Sequence, residues 1–382
     1  MAGQPPCNRT ERAIIIAGTS SGAERKIAAI QLLRALAALT VAAAHIAFGF
    51  ADHVGPGLGL GPEWRGEREA QLAVMLFFIV SGYVMVQAAG DRFGTPGARG
   101  LFWRRRFIRI MPPFWLASIL MALVLATLFA RPPDPAHFVR SLALVPDWPA
   151  DGALRPLVYL WVGWTLVYEM AFYFIFGLFL PLPRARAIMA VTGVLAATVI
   201  AGTWVPPVHP LLFALTRPLP VMFVAGMALA LWRGKGGVLP QGWRWAALLA
   251  VVPAVLLVPE PAVPTAGGWD YLVWCGIPAL LLAIAVLGGP LALPAAGLIN
   301  RAGDASYALY LLHVPVAWFW LWFWGRLPGF GSGPWDYLVS ALAASIVASW
   351  LFFGWIERPM TLALNRWLAA PHSAYELHRK TP

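Results

Sequence analysis

Apolar residues along this chain come in blocks about twenty long, separated by short breaks rich in proline, glycine and arginine. A helix needs about 20 such residues to cross a bilayer. The blocks at 27–50, 70–89, 111–130, 157–180, 187–205, 211–232, 243–258, 269–288, 306–324 and 335–356 meet or approach that length. The pattern predicts an all-α polytopic membrane protein of about ten transmembrane helices. Pro218 and Pro220 interrupt the sixth block and Pro253 the seventh. Proline is tolerated in membrane helices where neighbours satisfy the freed carbonyls. No break is long enough for a separate soluble domain. One membrane domain is expected over 26–360, between a mobile cytoplasmic tail at 1–25 and a second cytoplasmic tail at 361–382. The polar start, broken by Pro5 and Pro6, does not read as a secretory signal.

Basic residues orient these helices. With ten spans, both termini share a side with the loops near 90–110, 181–186, 233–244 and 289–303. Roughly 20 of the 28 Lys and Arg fall on that side, and loops retained in the cytoplasm carry such an excess. The expected setting is a bacterial-type inner membrane, with N- and C-termini inside. Only 12% of residues are charged and 60% are hydrophobic, with a net charge of +11. A soluble globule carries about 25% charged residues. The basic balance follows from topology, so no nucleic-acid partner is implied and membrane lipids are the expected surroundings. Cys7 and Cys275 lie in very different segments and suggest no disulfide framework. The 20 tryptophans suit membrane interfaces.

Polar residues inside the apolar blocks carry the candidate chemistry. Arg34 and His45, with ten residues between them, are close to three helical turns apart on one face. They are then separated by roughly 16 Å along the axis. Such groups are costly in hydrocarbon and are expected to face protein or water; a snorkelling Arg and an interfacial His are the plainer alternative. Ser81-Gly82, within FFIVSGYVM, offers a hydroxyl and room for a close backbone. The stretch WRRRFIRIMPP (103–113) reads as a cytoplasmic loop whose Arg104, Arg105, Arg106 and Arg109 can grip phosphate or anionic lipid. Glu169 stands about a dozen residues into its block, near mid-bilayer, with Arg34 or His45 as a possible partner. His313 sits about two turns into its span, where a structural histidine is the commoner case. Asp304 and Ser306 read as helix-start caps, and Glu357-Arg358-Pro359 as a helix stop. The sequence holds no HExxH, paired CxxC, Gly-rich phosphate loop or GxSxG, so neither metal chemistry nor a familiar serine hydrolase is indicated.

Six of these pieces, in order over roughly 27–360, resemble the membrane acyltransferase-3 family, and within it the exopolysaccharide-acetylating branch. They are the Arg34–His45 spacing, FFIVSGYVM, Arg106-x-x-Arg109, GWTLVYEMAFYF, SYALYLLHVP and Glu357-Arg358-Pro359. The resemblance implies transfer of an acyl group, commonly acetyl, from cytoplasmic acyl-coenzyme A to a hydroxyl of a cell-surface or lipid-linked glycan. Acyl-coenzyme A is then a donor substrate, and no bound cofactor is implied. His45 is expected to act as general base or to form a direct acyl-histidine intermediate; Arg34 to bind donor or oxyanion; and Glu169 to orient His45 or pair with Arg34. Arg105, Arg106 and Arg109 are expected at the coenzyme phosphates, with Ser81, Asp52, Tyr168, His313 and Glu357 in support. The sequence departs from the family at Met75, where an acidic residue often stands. Asp52, on the same face if the helix continues, or Glu169 would then orient His45. A transporter or flippase of a lipid-linked sugar also places Arg, His and Glu along a pathway, although the paired repeats common in such proteins are not evident. A purely structural assembly partner is the third reading.

Overall fold

The structure, a computed structural model, describes residues 28–49, 66–150, 152, 155–204, 206, 208–261, 268–326 and 334–368. Asp52, Cys7, the segment expected as the N-terminal tail and residues 369–382 lie outside the described residues. The described chain is helical. In order come α1 (Ala28–Gly49), α2 (Glu67–Ala89), α3 (Ala98–Phe129) and α4 (Pro135–Leu142). Next are α5 (Trp164–Phe179), α6 (Arg184–Ala201), α7 (Pro210–Leu215), α8 (Val221–Gly234) and α9 (Gln241–Leu257). Last are α10 (Trp269–Leu287), α11 (Ala296–Asp304), α12 (Ser306–Trp324) and α13 (Pro334–Trp367). Among the described residues, eight helices are long and apolar enough to span a membrane, and α8 and α9 are shorter apolar helices. Together they account for the ten expected blocks.

The differences from the block pattern have local causes. The arginine stretch 103–113 is not a loop: it lies inside α3, which carries Pro112 and Pro113. At 32 residues, about 48 Å long, α3 exceeds the roughly 30 Å hydrocarbon slab and carries its arginines at its first turns. The sixth block splits into α7 and α8 because Pro218 and Pro220 stand between them. α13 does not stop at Glu357. A π-turn over Phe353–Glu357 adds a residue, turns Glu357 inward, and the helix runs on with Pro359 in the opening turn of the next segment. Asp304 and Ser306 are not caps of α12: Ser306 donates back to the Gly303 carbonyl at 2.7 Å, and Asp304 accepts from Gln31.

The centre of the bundle is α2, buried along most of its length. It meets α8 at two glycines. A Cβ on Gly82 would come within 2.1 Å of the Phe223 carbonyl, and one on Gly226 within 2.0 Å of the Ile79 carbonyl. The close approach that Ser81-Gly82 suggested is thus reciprocal, with backbone against backbone. Gly82→Leu is therefore expected to force the two helices apart and lower the thermal midpoint in detergent sharply, whereas Ser81→Ala should leave it far less changed. α1 packs through small residues, with Ala38 and Ala42 against Leu309 of α12. α9 has no buried residue and turns Leu249, Val252, Leu256 and Leu257 outward, as a lipid-facing helix should.

Beyond the end of α3, Asp147 accepts from Arg140 at 2.7 Å and contacts His137 Nδ1 at 2.7 Å. Partial burial works to raise the Asp147 pKa, but the hydrogen bonds from Arg140 and His137 outweigh it and hold the carboxylate below its usual range. A two-way backbone bridge between Asp147 and Leu157, 2.9 Å in each direction, ties this cap to the chain entering α5.

Candidate functional site

Of the cavities along the inner face of α1, two bear on the candidate chemistry. The first is a cleft of about 830 Å³, counted to its open mouth, near the end where α1 starts. Arg34, Arg106, Arg109, Ser81, Glu169, Tyr173, Tyr307 and Tyr310 face it. Arg106 and Arg109 reach it together because residues three apart share a helix face. Arg105 points away and is exposed; its expected place among the donor-binding groups is not supported, since one residue along a helix turns the side chain by about 100°. Arg104 instead holds the carbonyl of Leu368 at the end of α13.

Glu169 does not pair with Arg34 and does not reach His45. Its carboxylate accepts from Ser81 Oγ at 2.8 Å and from the Tyr173 hydroxyl. Nor is it a dozen residues deep: the bridge at Leu157 keeps the preceding chain out of the helix, so Glu169 falls in the second turn of α5. Arg34 donates to Gln31 at 3.1 Å, and Gln31 in turn donates to Asp304. Arg106 lies over the rings of Phe102 and Tyr173, 5.6 Å from each centroid. Asp147, well away from this cleft, forms ion pairs with Arg140 and His137. Three guanidinium groups thus converge on a cleft whose one lining carboxylate is bound to neutral hydroxyls. Such an arrangement favours an anion, and phosphate in particular. Glu357, 6% exposed, is turned toward this end within the electrostatic reach of Arg109 and Arg34, and its Oε2 has no hydrogen-bond partner among the described residues.

The second cavity surrounds His45 and is larger, about 1670 Å³ to its mouth. Trp161, Trp164, Tyr168 and Tyr271 give it aromatic walls, and Gln71, Glu67 and Arg155 its polar groups. Tyr168 therefore belongs to the histidine side, away from its neighbour Glu169. Trp161, in the one-turn 3-10 helix before α5, meets the His45 ring edge-on at 4.4 Å. His45 Nδ1 lies 2.9 Å from His313 Nε2. Of the two groups expected to orient His45, Glu169 bonds elsewhere and Asp52 lies outside the described residues; the described neighbour of Nδ1 is this second histidine, which is fully buried. Met75, where the resemblance would place an acid, is packed in the apolar core.

A thin wall divides the cavities. The Tyr310 hydroxyl donates to the Val162 carbonyl at 2.6 Å and lies 2.7 Å from Thr165 Oγ1. Its ring lies 5.7 Å from Phe77 and 6.2 Å from His313. Thr165 and Tyr310 line the arginine cleft, while Trp161 and His313 stand against His45. Trp161, Thr165, Tyr173 and Tyr310 were not singled out from the sequence. The signal for some of them was there: Tyr173 is four residues after Glu169, and Tyr307, Tyr310 and His313 recur every third residue, so each set shares a helix face.

The family model described as an acyltransferase domain matches residues 27–354. The chain is 36% identical over 248 residues to the exopolysaccharide production protein ExoZ of Rhizobium meliloti (strain 1021), covering 63% of this chain and 74% of that protein. It is 31% identical over 377 residues to the acyltransferase MdmB of Streptomyces mycarofaciens, covering 87% of this chain and 91% of that protein. No solved structure matches the chain.

Proposed function

This chain belongs to the acyltransferase-3 family of membrane acyltransferases, and from that premise we propose an acetyl-coenzyme A-dependent O-acetyltransferase acting on a glycan. The observation that carries the reading is the division of labour along α1: a three-arginine cleft at one end, and His45 in an aromatic chamber at the other. Coenzyme phosphates suit the arginines. Aromatic walls with a few polar groups suit a sugar ring. The name of the Rhizobium relative favours an exopolysaccharide as acceptor. With the arginine cleft on the cytoplasmic side, the extended pantetheine arm would cross the Tyr310–Thr165 wall and present its thioester to His45.

The transfer then balances as follows. His45 takes the proton of the acceptor hydroxyl while its oxygen bonds to the thioester carbonyl carbon. The carbon–sulfur bond breaks, and the departing thiolate takes the proton from His45. In the two-step variant His45 bonds to the carbonyl carbon as the thiolate leaves; the acceptor oxygen then displaces the imidazole, and the hydroxyl proton passes to the thiolate.

The test is incubation of membranes containing the protein with radiolabelled acetyl-coenzyme A and an exopolysaccharide acceptor. His45-dependent incorporation of label into the glycan supports the proposal. Movement of lipid-linked sugar across the bilayer without incorporation would favour the transporter reading instead. The wall makes its own prediction. Tyr310→Phe removes both hydroxyl contacts, and a lost buried hydrogen bond costs about 1–3 kcal/mol. The variant should therefore melt lower in detergent than the wild type.

A further inference from the structure

We infer that His313 is a positioning residue which fixes His45 as the Nδ1–H tautomer, leaving the Nε2 lone pair for the acyl-transfer step. The inference rests on the reading of His45 given above. It follows from a chain of two hydrogen bonds whose polarity is set at one end. His313 Nδ1 lies 3.0 Å from the Leu309 carbonyl oxygen. A carbonyl oxygen only accepts, so His313 Nδ1 carries the hydrogen. In a neutral imidazole the other nitrogen is then a bare acceptor. That nitrogen, His313 Nε2, is the one 2.9 Å from His45 Nδ1. His45 must therefore donate from Nδ1, and its own lone pair is on Nε2.

The surroundings hold this order in place. His313 is fully buried, so water does not compete for its ring nitrogens. Leu309 is one turn before it on the same helix, so the anchoring carbonyl moves with the ring. Trp161 stands edge-on to His45 and restricts its rotation. The arrangement performs with a neutral imidazole what a carboxylate commonly does for a catalytic histidine: it selects the tautomer and accepts the hydrogen bond that strengthens when the ring gains a proton. The step itself keeps its balance. A proton passes from the acceptor hydroxyl to His45 Nε2 and then to the leaving thiolate, and His313 keeps its own proton throughout. The same lone pair is required if His45 is acylated.

The decisive measurement is the tautomer, read by nitrogen chemical shifts in detergent-solubilised full-length protein labelled with 15N-histidine. His45 is assigned by the loss of its signals in His45→Gln. A protonated Nδ1 and bare Nε2 in the wild type are expected; a protonated Nε2 overturns the inference whatever the activity. Two variants extend the test. His313→Ala should lower kcat for acetyl transfer by roughly 10- to 100-fold, the range typical of groups that orient a reactive ligand, with the KM for acetyl-coenzyme A unchanged. His313→Gln, whose amide oxygen can take the place of Nε2, should recover part of that loss, while His313→Leu should not. Equal activity of the Gln and Leu variants would overturn the positioning role. If the wild type transfers no label, the failure belongs to the proposed function, and the tautomer measurement still decides this inference.

Discussion

His45→Ala is expected to reduce acetyl transfer to the glycan by at least about 10²-fold, the lower end of what a positioned general base contributes. The loss should fall on kcat, with binding of acetyl-coenzyme A retained, because the arginines of the first cleft, the proposed donor site, are a separate group of residues near the other end of α1. His45→Gln should lose as much, since an amide has no basic nitrogen to receive the proton. The two mechanistic variants part company when acceptor is withheld. An acyl-His45 intermediate predicts that label from the donor is trapped on the wild-type protein after rapid quenching and absent from His45→Ala. Direct transfer predicts no trapped label in either. Near wild-type turnover by His45→Ala would overturn the assignment of His45 to the reaction.

Much of this site was legible before any fold was known, because intramembrane charge is costly and so has few explanations. The spacing of Arg34 and His45 needed only helix geometry, and Arg106 and Arg109 share a face for the same reason. The partners of these groups were less legible. Glu169 reads as a counter-ion on depth alone, yet the chain before α5 is drawn into the bridge with Asp147, so the helix starts late. The carboxylate then meets Ser81 and Tyr173. His313 reads as structural when taken singly. Its contact with His45 depends on how α1 and α12 pack through Ala38, Ala42 and Leu309, a tertiary fact that periodicity does not contain. Glu357 reads as a helix end because Pro follows two residues later; the π-turn that carries the helix through has no sequence signature of that kind. Helix existence was the secure level, and side-chain pairing between helices the insecure one.

Arg106→Gln with Arg109→Gln is expected to raise the KM for acetyl-coenzyme A by about 100-fold, with a much smaller change in kcat. A hydrogen bond to a charged group contributes about 1.5–3 kcal/mol, and about 1.4 kcal/mol is tenfold in affinity. Two lost contacts of the weaker kind therefore suffice. The prediction becomes specific when the donor is truncated. Acetyl-pantetheine lacks the nucleotide phosphates, so wild type and double variant should use it equally well. The penalty for removing the phosphates and the penalty for removing the arginines should overlap rather than add, as two halves of one interaction do. Arg105→Gln serves as the control. It removes one positive charge from the same stretch of α3, but its side chain is exposed and outside the cleft, so its KM should stay near that of the wild type. Rising salt should weaken donor binding in wild type and in Arg105→Gln, and do so less in the double variant. If instead the double variant changed only the KM for the glycan, or if Arg105→Gln matched it, the cleft would not be the donor site. The three-arginine arrangement would then be explained by attraction to anionic lipid.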